Sequence, residues 1–151
     1  MNLEGKNIVI REAEAQDAEA LKAIAQEPSV SKYFGEEDLA GMQVIALKDK
    51  GTVLGAIALR EHPDLHEQQV VYFLSDAYKG CGYTKEAVTL LSDEALKCRE
   101  IPYVIIGADE GNASAQRVAE KTGFGLYEKR VSVAGRLTGL TGDVYLYFRK
   151  Y

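Results

Sequence analysis

Two glycines, one residue apart, stand where a strand-like segment of the sequence gives way to a helix-like one. They are Gly80 and Gly82 in YKGCGYTKEAV, residues 78–88. Glycine loses more backbone freedom on folding than alanine, so this position requires either an unusual dihedral angle or a ligand close to the backbone. The first turn of a helix leaves N–H groups without helical partners, which makes it a ready anion site. The sequence predicts a phosphate-binding loop here, and a tight turn without a ligand is the alternative.

The loop does not match the patterns that hold ATP or NAD. It departs from GxxxxGK[ST], and no acidic residue closes a second strand about 20 positions further on, as a dinucleotide-binding fingerprint requires. A phosphate of another kind of molecule is therefore expected.

The charge balance limits the partners. The chain has 151 residues, of which 18 are Lys or Arg and 23 are Asp or Glu, giving a net charge of −5. A nucleic-acid footprint needs clustered Lys and Arg in excess, so we expect no nucleic-acid partner. A cationic, amine-bearing partner suits this charge better.

Neither a membrane segment nor a metal site is expected. The apolar runs are far shorter than the roughly 20 residues that span a bilayer, and the N-terminus MNLEGKNIVI lacks the features of a signal peptide, which predicts a soluble, cytoplasmic protein. Cys81 and Cys98 are the only cysteines, without metal-ligand spacing, so reduced thiols are expected. No repeat or linker divides the sequence, and residues 1–151 are predicted to form one domain.

The hydrophobic pattern predicts about four helices. The helix at residues 17–27 is expected to be capped by Asp17 and stopped by Pro28, while residues 29–41 are ambiguous and allow a short second helix followed by a loop. Further helices are predicted at residues 84–98 and, after a loop, within 109–124, where Gly123 should take the left-handed dihedral and Phe124 should pack back over the last turn. By helical spacing, the buried faces are Ala18, Leu21, Ala23 and Ile24 in the first helix, and Ala87, Val88, Leu91, Ala95 and Leu96 in the third.

Six to seven strands are predicted, and they make the fold α+β with a mostly antiparallel sheet. Strands are expected at residues 7–13, in a hairpin over 42–62 that turns at 49–51, at 68–74 and 103–108, and as two strands around a Gly-rich turn over 125–151. In the last strand Val144, Leu146 and Phe148 share one face, and Tyr145, Tyr147 and Arg149 share the other. The helix between QQVVYFL and YVIIGA should make those two strands parallel neighbours.

The chain resembles the GNAT superfamily of acyl-CoA-dependent N-acetyltransferases, and within it the Rim-type ribosomal-protein N-terminal acetyltransferases. Four stretches carry the resemblance over nearly the whole length: VIREAEAQDAEAL, VLGAIAL, VVYFLSDAYKGCGYTKEAV and NASAQRVAEKTGF. The resemblance implies a GNAT-like sheet in which QQVVYFL and YVIIGA splay apart, with the acyl end of the cofactor entering between them. The cofactor implied is acetyl-CoA as co-substrate, and no metal.

The resemblance also implies which residues contact the cofactor. The family's loop has the form Q/R-x-x-G-x-G/A, with its pyrophosphate bound mainly by backbone amides. It falls here on Lys79, Gly80, Cys81, Gly82, Tyr83 and Thr84. Lys79 and Thr84 depart from the pattern, but Lys79 keeps a positive charge and Thr84 still supplies an N–H. The backbone of Tyr72, Phe73 and Leu74 is implied to run along the pantetheine arm. Asn112 matches an asparagine that contacts the cofactor, although by itself it also reads as a helix cap.

Acetyl transfer needs a neutral amine, a donor to the developing oxyanion and a proton for the leaving thiolate. A backbone N–H near Phe73 or Leu74 is the candidate oxyanion donor. At the position where the family usually has a glutamate acting as general base, this chain has Gln69. Glu67, two residues earlier, is therefore the candidate base; the alternative is that Glu67 is only a solvated loop carboxylate. His62 and His66 lie near the same edge and are expected to be exposed.

The family's general acids are also replaced. Its α-helical tyrosine is Ala119 here, and the serine of Rim-like members is Ala115, which leaves Ser114 as the candidate proton donor to the thiolate, or as a helix cap. Without an obvious strong base, an α-amine is favoured over a lysine-like amine, because holding the latter neutral at pH 7 costs about 4.6 kcal/mol against about 1.4.

The expected function is transfer of an acetyl group from acetyl-CoA to a primary amine, by direct attack in a ternary complex. The amine is either a protein N-terminus or a small molecule, and a homodimer is allowed. The departures at Gln69 and Ala119 also permit a second function, that of a CoA-binding sensor or interaction module with weak catalysis. Residues 29–41 and the loop EHPDLHE are expected to line the acceptor site.

Overall fold

Eight strands form one mixed sheet in the computed structural model, which describes residues 2–63, 65–98, 101–131 and 144–151. The strands are β1 (Leu3–Glu4), β2 (Ile8–Arg11), β3 (Gln43–Leu47), β4 (Val53–Glu61), β5 (Gln68–Leu74), β6 (Val104–Asp109), β7 (Gly125–Val131) and β8 (Val144–Lys150). Their order across the sheet is β1-β2-β3-β4-β5-β6-β8-β7. The predicted α+β class is confirmed, and the one added strand is the two-residue β1 at the sheet edge.

Neighbouring strands are antiparallel except for β5 and β6, which are parallel as predicted. The hairpin of β3 and β4 turns through residues 48–52, in agreement with its Asp49 to Gly51 signal. The predicted Gly-rich turn between β7 and β8 lies outside the described residues.

Four α-helices are found in the described parts of the chain: α1 (Ala18–Ala25), α2 (Pro28–Ser31), α3 (Tyr83–Cys98) and α4 (Ala113–Lys121). Pro28 does not simply stop α1, because it occupies the first turn of α2, where its missing N–H has no helical partner to lose. The described helices do not include one with both the length and the apolar character needed to cross a bilayer.

Asp17 does not cap α1, contrary to the sequence prediction. Its buried carboxylate instead accepts two hydrogen bonds from Arg11, at 2.8 and 3.0 Å, and one from the Glu14 N–H at 2.7 Å. The Arg11 guanidinium holds the pKa of this carboxyl below its ordinary value, even though burial acts in the opposite direction. A bidentate Arg partner is a stronger attraction than a single backbone N–H, and this decides the side chain's direction.

The helices divide between the two faces of the sheet. One face carries α3 and α4 over a core that includes Ile57, Val88, Ala119 and Phe148, and the other carries α1 over a second core. In α3 the predicted stripe is buried except for Leu96, which is half-buried against the same core. In α1 Ala18 and Ala23 are exposed, and the buried residues are Leu21, Ile24 and Ala25.

The C-terminal elements follow the predicted pattern. Gly123 follows the last turn of α4 with φ +93°, and the N–H of the buried Phe124 donates to Ala119 O at 2.9 Å. In β8, Leu146 and Phe148 belong to the core below α3 and α4, whereas Tyr145 and Tyr147 pack with Ile105 on the opposite face. The alternation of side chains along a strand accounts for both sets.

The parallel pair opens almost at once, as predicted. Among the described residues β5 and β6 register at a single pair, Gln69 with Ile105, although β5 pairs along its full length with β4 and β6 pairs along its full length with β8. The carboxyl-terminal halves of β5 and β6 therefore diverge, and a cleft opens between them.

Candidate functional site

A cleft of about 470 Å³ occupies the space between the diverging strands. Its walls come from β5 and β6, from the segment around α2, and from the amino-terminal turns of α3 and α4. The predicted site residues that line it are Tyr72, Phe73, Leu74, Lys79, Gly80, Gly82, Tyr83, Thr84, Asn112 and Ser114. Cys81 and Glu67 are the two predicted site residues that are not part of this lining.

The glycine loop leads from β5 into α3. Gly80 and Gly82 both have positive φ angles, +81° and +82°, which side-chain-bearing residues rarely adopt. A Cβ built on either glycine meets no atom within 4 Å, so the backbone of the loop faces open space. The Glu86 N–H donates to Gly82 O, which leaves the earlier N–H groups of the first turn of α3 without helical partners. Exposed amides at a helix start fit the pyrophosphate of a CoA molecule.

The cleft is positively charged although the chain as a whole is acidic. Lys79, Lys85 and Arg117 line it, and the described lining residues include no Asp or Glu. Lys79 also forms an ion pair with Asp76 at 2.6 Å, and this contact, with a hydrogen bond from Ser29, lowers the pKa of the Asp76 carboxyl. Such a lining favours an anionic molecule.

A polar network joins the glycine loop to the segment around α2. Glu27 accepts a hydrogen bond from Ser75 Oγ at 2.7 Å and from the Asp76 N–H at 2.8 Å. Ser29 Oγ donates to Asp76 Oδ1 at 2.8 Å. The network holds two walls of the cleft in fixed relation.

The open edge of β5 offers backbone groups to the cleft. Tyr72 and Phe73 pair with β4 on one side, and beyond Gln69 no registered partner lies on the β6 side. Free N–H and C=O groups along an extended strand are suited to the amides of a pantetheine arm. Asn112 lies across the cleft and caps α4, because its Oδ1 accepts from the Ala115 N–H at 3.1 Å. Ser114 is exposed beside the cleft and is not the cap.

Glu67 is held in a separate cluster at the closed end of the strand pair. Its carboxylate accepts hydrogen bonds from Tyr103, from Tyr127 at 3.2 Å and from Arg149 at 3.0 Å. Burial alone would raise the pKa of this carboxyl, but Tyr103 and Arg149 outweigh burial and hold it below its ordinary value. The Arg149 guanidinium lies 4.1 Å from the centroid of each tyrosine ring. Nothing in this geometry supports a base, and that role for Glu67 stays a prediction.

Gln69, by contrast, is buried at the vertex of the cleft and lines it. The prediction that His62 is exposed is wrong. Its ring is fully buried, Nδ1 accepts from the Leu65 N–H at 3.1 Å, and Nε2 lies 3.2 Å from Tyr147 OH. His66 is exposed as expected.

Several lining residues were not singled out from the sequence. Lys85 lies in the first turn of α3 and Arg117 in the second turn of α4. The position of Lys85 at a helix start beside the glycine loop was the available signal for that residue. Tyr33 and Phe34 line it from the segment after α2, in the stretch expected to contact the acceptor, whereas none of the described residues of EHPDLHE does. No group of three or more potential metal ligands occurs among the residues that the structure describes.

Comparisons with known proteins agree with this geometry. The family profile of the acetyltransferase (GNAT) domain matches residues 7–125. The uncharacterized N-acetyltransferase YnaD of Bacillus subtilis (strain 168) is 24% identical over 140 residues, covering 82% of each chain. The GNAT-family acetyltransferase of Bacillus anthracis superposes with a TM-score of 0.84 at 21% identity, over 99% of this chain and 97% of that one.

RimL, a ribosomal L7/L12 alpha-N-protein acetyltransferase solved in complex with coenzyme A, superposes with a TM-score of 0.74 at 13% identity. The match covers 99% of this chain and 97% of RimL. At these identities the two structures establish the likeness of fold, and the family follows from the profile match.

We predict that Gly82→Val abolishes CoA binding, because its side chain would enter the space in front of the loop amides. Gly51→Val is the matched control, since Gly51 has a similar φ of +71° and open space around its Cβ, but lies in the β3–β4 turn. Both variants should lose similar stability and keep their far-UV circular dichroism, and only the first should lose CoA affinity in calorimetry. Equal CoA affinity of the two variants would remove the loop from the site.

We predict that Glu67→Gln lowers the melting temperature at pH 7 and reduces kcat/KM by less than the hundredfold typical of a lost general base. Because the folded-state pKa of Glu67 is lowered, its stabilising contribution is present above the unfolded-state pKa of about 4.3 and is lost as pH falls through the folded value. The stability difference from wild type should therefore vanish in acid. A loss well above a hundredfold with an unchanged melting temperature would make Glu67 the base after all.

Proposed function

We propose, since the chain belongs to the GNAT acetyltransferase family, that it is an N-acetyltransferase that moves an acetyl group from acetyl-CoA to a primary amine. The observation that carries the proposal is the strand pair that opens after Gln69 and is continued, beyond β5, by a glycine loop at the start of α3. This arrangement offers strand-edge groups for an extended arm and amides for a pyrophosphate in one continuous cleft. The Cys81 side chain is exposed and takes no part in the lining.

The reaction is a direct transfer in a ternary complex. The nitrogen lone pair of the neutral amine forms the new C–N bond to the acetyl carbon, and the C–S bond breaks with its electron pair leaving on sulfur. The nitrogen loses one proton and the thiolate gains one, so that an amide and free CoA result. Acetyl-CoA supplies the activated acyl group, and the protein supplies binding, orientation and hydrogen bonds.

The cofactor contacts proposed for this chain follow the order of the cleft. The amides and charges of the loop from Lys79 to Thr84 hold the pyrophosphate, and Asn112 contacts the cofactor from the opposite wall while it caps α4. The backbone of Tyr72, Phe73 and Leu74 binds the pantetheine arm, and an N–H near Phe73 or Leu74 donates to the developing oxyanion. Lys85 and Arg117 add positive charge to the lining.

The lining favours an acceptor without a second positive charge. Val30, Tyr33, Phe34 and Phe73 form an apolar and aromatic wall, and the described lining offers no carboxylate to hold a further ammonium group. The net negative charge of the whole chain therefore does not extend into the cleft. A protein N-terminal α-amine fits this lining better than a polyamine.

The pKa values of the possible acceptor amines also favour an α-amine. Deprotonating an α-amine at pH 7 costs about 1.4 kcal/mol, whereas deprotonating a lysine-like amine costs about 4.6. For the smaller cost, a water molecule at the vertex can accept the proton without a strong base. Gln69 at the vertex has amide groups that orient such a water or the amine itself, but it does not accept a proton at neutral pH.

We predict that thiol release from acetyl-CoA is stimulated by peptides with free N-termini more than by spermidine or by an N-terminally blocked lysine peptide. The assay is the rate of CoA release with each amine, checked by mass spectrometry of the acetylated product. A blocked peptide of the same sequence without lysine is the control. Binding of CoA in calorimetry without release above background for any amine would favour the sensor function instead.

We predict that Ser114→Ala lowers kcat without weakening CoA binding, if Ser114 supplies the proton for the thiolate. The exposed position of Ser114 beside the cleft and outside the cap of α4 motivates the test. The decrease should be smallest with an acyl donor whose leaving thiol has a low pKa, because a stable thiolate needs no proton in the transition state. An unchanged pH profile of kcat/KM would leave Ser114 without a catalytic role.

A further inference from the structure

The hydroxyl group of Tyr72 is buried and has no hydrogen-bond partner. Within the described parts of the chain three buried side-chain polar atoms have none: Gln43 Oε1, Tyr72 OH and Arg149 Nε. Of these three residues, Tyr72 alone lines the cleft. A buried hydroxyl that loses water without gaining a partner destabilises the protein, and phenylalanine would provide the same ring without that loss. A bound molecule is the expected source of the missing partner.

The position of Tyr72 indicates which part of a bound acyl-CoA it meets. Tyr72 follows the vertex residue Gln69 by three positions, and the glycine loop lies beyond the far end of β5. An arm whose pyrophosphate rests on that loop runs back along β5, so that its reacting end reaches the stretch from Tyr72 to Leu74, where the oxyanion donor is proposed. The half-buried Tyr72 ring packs against the core under α3 and α4, whereas Ser114 is exposed beside the cleft. Tyr72 lines the cleft, but its hydroxyl is covered in the ligand-free structure, so a contact with a bound acyl group requires the ring to turn toward the cleft.

We infer that the Tyr72 hydroxyl donates a hydrogen bond to the thioester group of the bound acyl-CoA. The inference rests on the proposed function and adds to it a side-chain donor on β5. The hydrogen bond stabilises negative charge as the C–S bond breaks and its electron pair moves to sulfur, and the phenol keeps its own proton. The Tyr72 phenol stays protonated and neutral, because burial raises its pKa well above the ordinary value.

The first test uses binding and stability, which need no amine and no turnover. Tyr72→Phe removes the hydroxyl alone, and the melting temperature of the ligand-free variant should rise by about 2 to 6 °C. Its affinity for acetyl-CoA should fall about 3- to 10-fold, the scale of one hydrogen bond, while its affinity for desulfo-CoA, which has no thioester, should be unchanged.

The second test is kinetic. With the best amine of the panel, Tyr72→Phe should lower kcat by about a hundredfold, the scale of one lost donor to a developing charge. Tyr145→Phe is the control, because Tyr145 is a buried tyrosine that packs with Ile105 and Tyr147 and is outside the cleft lining. This control should keep wild-type kcat and wild-type affinity for both CoA compounds.

Two results would overturn the inference. An unchanged acetyl-CoA affinity of Tyr72→Phe would show that the hydroxyl does not meet the thioester, and an equal loss for desulfo-CoA would place its partner elsewhere on the cofactor. If the wild-type protein acetylates no amine, the proposed function fails, and the binding and melting measurements still decide the role of Tyr72.

Discussion

The single registered pair between β5 and β6 is the constraint on which the rest of the site depends. Each of the two strands is fully bonded on its outer edge, to β4 and to β8, so the sheet remains continuous while its middle opens. The opening exposes a strand edge that a folded protein normally pairs or covers. It also directs the carboxyl end of β5 toward the glycine loop, where the first turn of α3 presents unpaired amides. The proposed arm site and the proposed phosphate site therefore both depend on one interrupted ladder.

Charge is distributed so that an acidic chain has a basic cleft. Two carboxylates beside the cleft have partners of their own: Glu27 accepts from Ser75 and the Asp76 amide, and Asp76 pairs with Lys79 and Ser29. Lys85 and Arg117 remain at the cleft with no acidic residue in its described lining. An anionic cofactor is favoured by this local field, and the net charge of −5 gives no information about it.

Polar side chains at the two ends of the strand pair differ in whether they have hydrogen-bond partners. At the closed end the Glu67 carboxylate accepts from two tyrosines and an arginine, which fixes the strands there. In the open part Tyr72 carries a buried hydroxyl with no protein partner. A satisfied cluster stabilises the fold, whereas an unsatisfied group in a cleft gains its partner only when a ligand binds. We therefore expect the first end to stabilise the fold, and the proposed role of Tyr72 lies at the second.

The sequence by itself determined the order of strands β2 to β8 and of helices α1, α3 and α4, the parallel pair, the glycine loop and the two faces of β8, because these depend on local periodicity and on backbone preferences of single residues. Only the tertiary structure decided where polar side chains find partners. Asp17 turns to Arg11 instead of capping α1, His62 is buried beside Tyr147, and Glu67 is bound by residues 36 to 82 positions away along the chain. Such contacts are set by which strands lie side by side, so their energies are not encoded in any short stretch of sequence. The same holds for the Tyr72 hydroxyl, whose isolation arises from the packing of β5 against the core under two helices that follow it in the chain.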